Sequence, residues 1–177
     1  GTVNYTITAT NSGGSTTATI TLIFNTAPTD LALNTTSVAE NAASATTVGT
    51  LSATDADAGD TFTYTLVSGT GSTDNASFTI AGSTLRTAAV FDFETKTSYS
   101  VRVRVTDAGG LSFEKAITIS VTNVNEAPTD VAANANSVAE NAASGTSVAT
   151  MSATDADAGD TFTYTLVSGT GDTDNAS

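Results

Sequence analysis

The residues best suited to chemistry in this chain are aspartates in a loop that occurs twice. The segment Ser52–Gly71 reads SATDADAGDTFTYTLVSGTG, and it recurs unchanged at Ser152–Gly171. Asp55 and Asp57 are two residues apart in the first copy, and Asp60 follows closely. Clusters that offer only oxygen atoms suit Ca²⁺, which accepts about 6–8 oxygen ligands from carboxylates, carbonyls and water. The loop therefore indicates a cation site.

A second group of carboxylates lies in the segment FDFE at positions 91–94. In an extended segment residues i and i+2 project to the same side, so we expect Asp92 and Glu94 to point together. Further oxygen ligands are available elsewhere in the repeat and at its end: Glu40, Asp107, Asn123, Asn125 and Glu126. The alternative is that the loop acids only form Asx turns in solvent and that Asp92 merely ends a strand.

The composition excludes most other kinds of site. The chain has no cysteine, histidine or tryptophan, which excludes thiol nucleophiles, histidine-based triads and Cys/His zinc sites. A glycoside hydrolase using Asp92 and Glu94 is disfavoured, because retaining enzymes hold two carboxyls about 5–5.5 Å apart across a cleft. Adjacent acids of one strand beside a domain junction provide no cleft, so we expect no enzyme activity.

The charge argues against two classes of partner. Five Lys plus Arg stand against eighteen Asp plus Glu, which gives a formal net charge of −13. This charge repels nucleic acid and anionic membrane surfaces. No apolar run approaches the roughly 18 residues of a membrane span, so no direct membrane insertion is predicted for this segment. We interpret the chain as an internal slice of a longer protein, with sorting signals outside it.

The repetition extends well beyond the acidic loop. Residues 27–77 align without gaps on residues 127–177, with 42 identities in 51 positions. Both copies open with Ala-Pro-Thr-Asp, where the proline interrupts strand pairing between one domain and the next. A unit of about 100 residues suits one β-sandwich domain. We therefore predict a complete repeat at 27–126 and the N-terminal half of a second repeat at 127–177.

Alternating apolar residues predict seven short strands in the complete repeat. They lie near Leu31–Leu33, Val48–Ala53, Thr61–Val67, Phe78–Ile80, Thr84–Thr87, Ser98–Thr106 and Ala116–Thr122. Residues two apart supply the core, namely Phe62, Tyr64 and Leu66, then Val101, Val103 and Val105, then Ile117, Ile119 and Val121. The pattern predicts an all-β fold of tandem Greek-key β-sandwich repeats, one complete and two partial.

Both ends of the chain are predicted to hold partial domains. The first 26 residues alternate around Ser12-Gly13-Gly14, which predicts a hairpin, and they resemble the closing strands of a bacterial Ig-like repeat. The second repeat holds only three strands and part of a fourth. We expect the apolar face of each partial domain to be under-buried unless another chain covers it.

Taken in order, VAEN, SATDADAGD, FDFETK, VTD and VTNVNEAPTD resemble the motifs of cadherin repeats over about residues 27–177. In that family calcium ions lie between successive domains and stiffen the rod. For the junction between the two repeats the resemblance implies ligands from both units and the linker: Glu40, Asp92, Glu94, Asn123, Asn125, Glu126, Asp155 and Asp157. At the first junction it implies Asp55, Asp57 and Asp107. Because Asn25-Thr26 and the hairpin offer no acid, we expect fewer or weaker ions there.

The linker departs from the family's D-x-N-D-N-x-P form, since it has Asn123 for the first Asp and one residue fewer before Pro128. In detail, the motifs look most like the cadherin-like repeats of very large, RTX-type bacterial surface adhesins. This resemblance implies an extracellular, cell-surface location. It also implies a calcium-stiffened spacer that supports cell adhesion, with neighbouring repeats of the same chain as partners.

The alternative function is a binding module for a carbohydrate or for a like repeat on another cell, in this segment or through other domains. Sugar sites usually display exposed aromatic side chains. Here the aromatic residues mostly fall on predicted core faces, so this alternative ranks second. A fold does not determine its partners, and homophilic contact stays open.

Overall fold

The computed structural model describes residues 2–175, which form two compact units, one ending at Asn123 and the other beginning at Val124. Strands supply nearly all of the regular structure. The described residues contain one short 3₁₀ helix, Asn75–Ser77, and no α-helix. Within this range, therefore, no helix has the length and apolar character needed to cross a membrane.

The first unit begins with the predicted hairpin. Strands β1 (Thr2–Asn11) and β2 (Gly14–Ile23) pair antiparallel along their whole length, and every residue of both strands is exposed. The Gly13 N–H donates to the Asn11 side-chain oxygen at 2.8 Å, which closes the turn. The hairpin is thus confirmed, while its assignment to an Ig-like domain stays a prediction.

The rest of the first unit is a β-sandwich of two four-stranded sheets, with strand orders β3-β5-β8-β7 and β4-β10-β9-β6. The strands are β3 (Asp30–Leu33), β4 (Ser37–Ala39), β5 (Thr47–Thr54), β6 (Thr63–Leu66), β7 (Phe78–Ala81), β8 (Thr84–Thr87), β9 (Ser98–Thr106) and β10 (Ser112–Thr122). All seven predicted strands are present. The sequence missed β4, which pairs parallel with β10, because three residues are too few to show an alternating pattern.

The core lies between the two sheets. Val101, Val103 and Val105 of β9 are fully buried, as their spacing predicted. Phe91 stacks on Tyr99 with ring centroids 4.2 Å apart, and other partly buried apolar residues pack around this cluster. Burying one such side chain stabilises a fold by about 1.5–3 kcal/mol. The strands that end at the acidic loops are therefore held by a well-packed core.

The second unit repeats the start of the first. Strands β11 (Asp130–Ala133) and β12 (Met151–Thr154) pair antiparallel in the same register as β3 and β5. The apolar residues around them are largely exposed, which confirms the expected under-burial of this unit.

Candidate metal centres

The first acidic site consists of Asp55, Asp57, Asp60 and Asp107. Asp55 follows the last residue of β5, and Asp107 follows the last residue of β9, so the two sheets each deliver one carboxylate. One carboxylate oxygen from each of Asp55, Asp60 and Asp107 lies within 4.8 Å of the others. Oxygens with this separation can share one ion about 2.4 Å from each, which is a calcium distance.

The loop of this site is folded by its own aspartates. The Asp57 N–H donates to Asp55 Oδ1 at 2.9 Å, so the Asx turn of the alternative interpretation is present. Gly59 follows with φ of 90°, a conformation that favours glycine. Yet Asp55 Oδ2 and Asp60 Oδ2 are buried and accept no hydrogen bond. Acids that only cap a solvated turn would not bury such oxygens, because an unsatisfied buried acceptor is costly.

Within the first acidic site, Asp60 has a raised pKa. Burial raises the pKa of Asp60, and the neighbouring carboxylates of Asp55 and Asp107 raise it further. The fold thus places Asp60 where its charged form is disfavoured. A bound cation would reverse this effect, since it favours the charged carboxylates.

Two residues before the sandwich donate hydrogen bonds to the same acids. The Thr26 N–H and the Thr26 hydroxyl both donate to Asp57 Oδ2 at 2.7 Å. The Asn25 amide donates to Asp107 Oδ2 at 3.0 Å, and the Leu111 N–H donates to the other oxygen of Asp107 at 2.9 Å. From the sequence, Asn25 and Thr26 were recognised only as linker residues without an acidic side chain. Their role as donors depends on contacts between distant residues, which the local pattern does not contain.

The second acidic site consists of Glu40, Asp92 and Glu94, whose ligand oxygens also lie within 4.8 Å of one another. Glu40 is only 2% exposed and accepts a hydrogen bond from the Phe93 N–H at 2.7 Å. The Asn123 amide donates to Glu94 at 3.2 Å. The structure therefore brings together four of the residues that the sequence singled out.

The segment that carries Asp92 and Glu94 is a turn, and our expectation of an extended conformation was wrong. Asp92 accepts the Thr95 N–H on one oxygen and the Thr95 hydroxyl on the other, both at 2.9 Å. These hydrogen bonds lower the pKa of Asp92. An aspartate with a threonine three residues later competes with strand pairing in this way. Phe91 nevertheless enters the core, at 3% exposure.

The acidic loop of the second unit repeats the turn of the first but groups a different set of acids. One oxygen from each of Asp155, Asp157 and Asp160 lies within 4.8 Å of the others. The Asp157 N–H donates to Asp155 at 3.0 Å, and Asp155 Oδ2 is buried and accepts no hydrogen bond. The Glu126 N–H donates to Asp157 Oδ2 at 2.6 Å, as the Thr26 N–H does to Asp57. The Asn125 amide donates instead to the Glu126 carbonyl at 3.0 Å.

Asp60 and Asp160 were not among the predicted ligands, although each lies in an acidic cluster. The signal for them was the third aspartate of DADAGD, placed after a glycine that turns the chain back. The grouping of ligands from both units and the linker at one junction stays a prediction.

The chain is similar to known cadherin domains in sequence and in structure. Residues 34–122 match the family model of the cadherin domain. The structure of Protocadherin Gamma B7 extracellular cadherin domains 1–4 is 25% identical, with a TM-score of 0.54, over 89% of this chain and 41% of that chain. Mouse Protocadherin-24 EC1–3 is 23% identical, with a TM-score of 0.54, over 88% of this chain and 56% of that chain. The chain thus spans less than two thirds of either structure. No curated protein matches it.

Proposed function

Because the chain belongs to the cadherin domain family, we propose that it is a calcium-stiffened spacer segment of a large cell-surface or secreted adhesin. Cadherin domains are extracellular adhesion modules rather than enzymes. The spacer function assigns calcium to the acidic clusters and gives the segment a mechanical role. Its partners are the neighbouring repeats of the same chain, while any homophilic or glycan partner is bound through other domains.

One observation carries the proposal. In both copies of the acidic loop, the first aspartate uses one oxygen for the turn and buries the other without a donor, at Asp55 and again at Asp155. A neutral ligand with hydrogen-bond donors could satisfy one such oxygen. Three carboxylates within 4.8 Å, with no sulfur or nitrogen ligand, suit a hard divalent cation better.

In the first cluster, the proposed ligands are positioned by the strands that they follow. Asp55 and Asp107 directly follow strands, the Asx turn uses Asp55 Oδ1, and one oxygen of Asp55 lies within 4.8 Å of an oxygen of Asp60 and of Asp107. At the second junction the proposed ligands are Glu40, Asp92 and Glu94 with the linker residues and the Asp155 and Asp157 pair. A bound ion supplies positive charge that ties these segments together.

The affinity of such sites fits an extracellular role. Extracellular calcium modules have dissociation constants of roughly 10⁻⁴–10⁻³ M. A spacer of this kind is stiff outside the cell and flexible at cytosolic calcium concentrations. The bacterial, RTX-type context of the adhesin and the Ig-like domain before the repeat are part of the proposal and rest on the sequence motifs.

The buried aromatic residues of the complete repeat support a spacer more than a glycan-binding module. Phe78 and Phe91 are buried, and both rings contact the ring of Tyr99 inside the sandwich. These rings are therefore not available to stack on a sugar.

The proposal is tested by calorimetric titration of the whole chain with CaCl₂, paired with small-angle scattering in calcium and in EDTA. We expect calcium to release or absorb heat in the millimolar range and to lengthen or sharpen the distance distribution. Asp55→Asn with Asp155→Asn should weaken binding at both loops. Asp130→Asn with Asp172→Asn removes the same charge outside the three clusters and should leave binding unchanged. Unaltered heat and shape at millimolar calcium would overturn the proposal.

A further inference from the structure

The linker before the complete repeat is attached to the sandwich by neutral hydrogen-bond donors. Thr26 donates two hydrogen bonds to Asp57, and Asn25 donates one to Asp107, which is only 6% exposed. The Asn25 side chain lies against Gly109, where an added Cβ would come within 2.2 Å of its Nδ2 atom. Hydrogen bonds to a carboxylate are stronger than neutral pairs, and these need no ion.

The position equivalent to Thr26 in the second linker carries an acidic side chain instead of a hydroxyl. Glu126 stands where Thr26 stands in the first copy, and its N–H makes the same hydrogen bond, to Asp157. One carboxylate oxygen of Glu126, however, lies within 4.8 Å of a carboxylate oxygen of Asp157, where Thr26 brings a hydroxyl donor to Asp57. Two neighbouring negative charges repel each other unless a cation lies close to both. The same fold therefore has two linkers with opposite electrostatics.

We propose that Thr26 and Glu126 give the two linkers different calcium requirements. The Asn25-Thr26 linker stays docked without calcium, held by the Thr26 and Asn25 hydrogen bonds, while the linker that contains Glu126 is held firmly only when calcium offsets the repulsion between Glu126 and Asp157. This inference rests on the proposed calcium function. It predicts that falling calcium loosens the second linker first and leaves the first in place.

Hydrogen–deuterium exchange on the whole chain tests the inference, with peptides that cover residues 24–28 and 123–128. We expect the first peptide to be protected equally in calcium and in EDTA. The second should exchange about tenfold faster or more in EDTA, the scale expected when a linker loses charge-assisted hydrogen bonds. A first linker that exchanges as fast as the second in EDTA overturns the inference.

Reciprocal variants identify the residues responsible. Thr26→Glu should make protection of the first linker depend on calcium, and Glu126→Thr should reduce the calcium dependence of the second. Thr26→Val keeps the shape but removes the hydroxyl, so it should raise exchange in calcium and EDTA alike. Gly109→Ala should displace Asn25 and raise exchange at residues 24–28 without touching an acid. Reciprocal variants that leave both linkers unchanged would contradict the assignment.

We call the attachment of the first linker through Thr26 and Asn25 the latch, and its outcome is separable from the outcome for the spacer. If calcium binds and both linkers depend on it, the latch is wrong and the spacer proposal stands. If calorimetry shows no calcium binding, the spacer proposal is wrong. In that case protection of residues 24–28 in EDTA that is lost in Thr26→Val still supports a metal-independent latch.

Discussion

The hydroxyl of Thr35 occupies the space that a side chain at position 49 would need. A Cβ added to Gly49 would lie 2.7 Å from both Thr35 Oγ1 and Asn34 Oδ1 and 2.8 Å from the Thr35 carbonyl oxygen, closer than real Cβ contacts. The Thr35 hydroxyl is held there because it donates a hydrogen bond to the Val48 carbonyl. The second copy has Ala135 and Ala149 at the equivalent positions. The first repeat therefore combines threonine with glycine at these two positions, whereas the second repeat combines alanine with alanine.

We predict that Gly49→Ala destabilises the first unit by about 1–3 kcal/mol, because overpacking forces the neighbouring strand segment to move. Combining it with Thr35→Ala should cost less than Gly49→Ala alone. Urea unfolding of the two single variants and the double variant measures this coupling. The matched control is Gly82→Ala, whose Cβ would meet no atom within 4 Å but whose φ of 60° still strains an alanine. Additive losses in the double variant would show that Thr35 is not the obstacle.

Asp60 should be a calcium ligand even though the cadherin resemblance did not assign it. Its Oδ2 atom is buried beside Asp55 and Asp107, and its raised pKa reflects burial and then these two carboxylates. We expect Asp60→Asn to weaken calcium binding while raising the melting temperature in EDTA, because it removes a disfavoured charge. Calorimetry and thermal unfolding measure the two effects. The isosteric change Asp130→Asn at an exposed acid should alter neither, and an Asp60→Asn chain with intact calcium binding would exclude Asp60 as a ligand.

The sequence predicted the fold better than the site. Alternation identified the strands because burial on one face imposes a period of two, as at Val101, Val103 and Val105. It failed for the Asp92 turn, where a side-chain hydrogen bond to Thr95 decided the backbone conformation. It could not show that Thr26 binds Asp57, since 31 residues separate the two and only the packed sandwich brings them together.

Low pH should destabilise the sheet that contains β9 and β10, because Glu114 becomes protonated. Hydrogen bonds from Arg104 and then Arg102 hold the pKa of this carboxyl below its ordinary value. A depressed pKa contributes stability that is present above the unfolded-state value and is lost as the pH falls. We therefore expect the free energy of unfolding to fall below about pH 4. Glu114→Gln should be less stable at pH 7 and should lose less of its stability between pH 5 and pH 3, as followed by urea unfolding.

The second unit should gain strands when it is given a counterpart of β7–β10. Stretches equivalent to β4, β6 and the start of β5 lie at 137–139, 163–166 and 147–150, and none of them is a strand. In the first unit these strands pair with β10, β9 and β8. The charges agree with this pairing, because all five Lys and Arg lie within residues 86–115 while residues 127–177 have seven acids and no basic residue.

We predict that a chain extended after residue 177 by a second copy of residues 78–122 forms these missing strands. Val131, Val138, Val148 and Met151, which are 41–56% exposed, should become buried like their counterparts in the first unit, which are 0–7% exposed. Amide exchange at 137–139 and 163–166 should then slow by orders of magnitude, towards the rates of 37–39 and 63–66. The control extension carries Val103→Asp in the appended copy, which places a charge in the core and should abolish protection. Equal exchange in the two extended chains would show that the open face does not select this partner, and dimerisation of the unextended chain through that face would identify a second copy as its occupant.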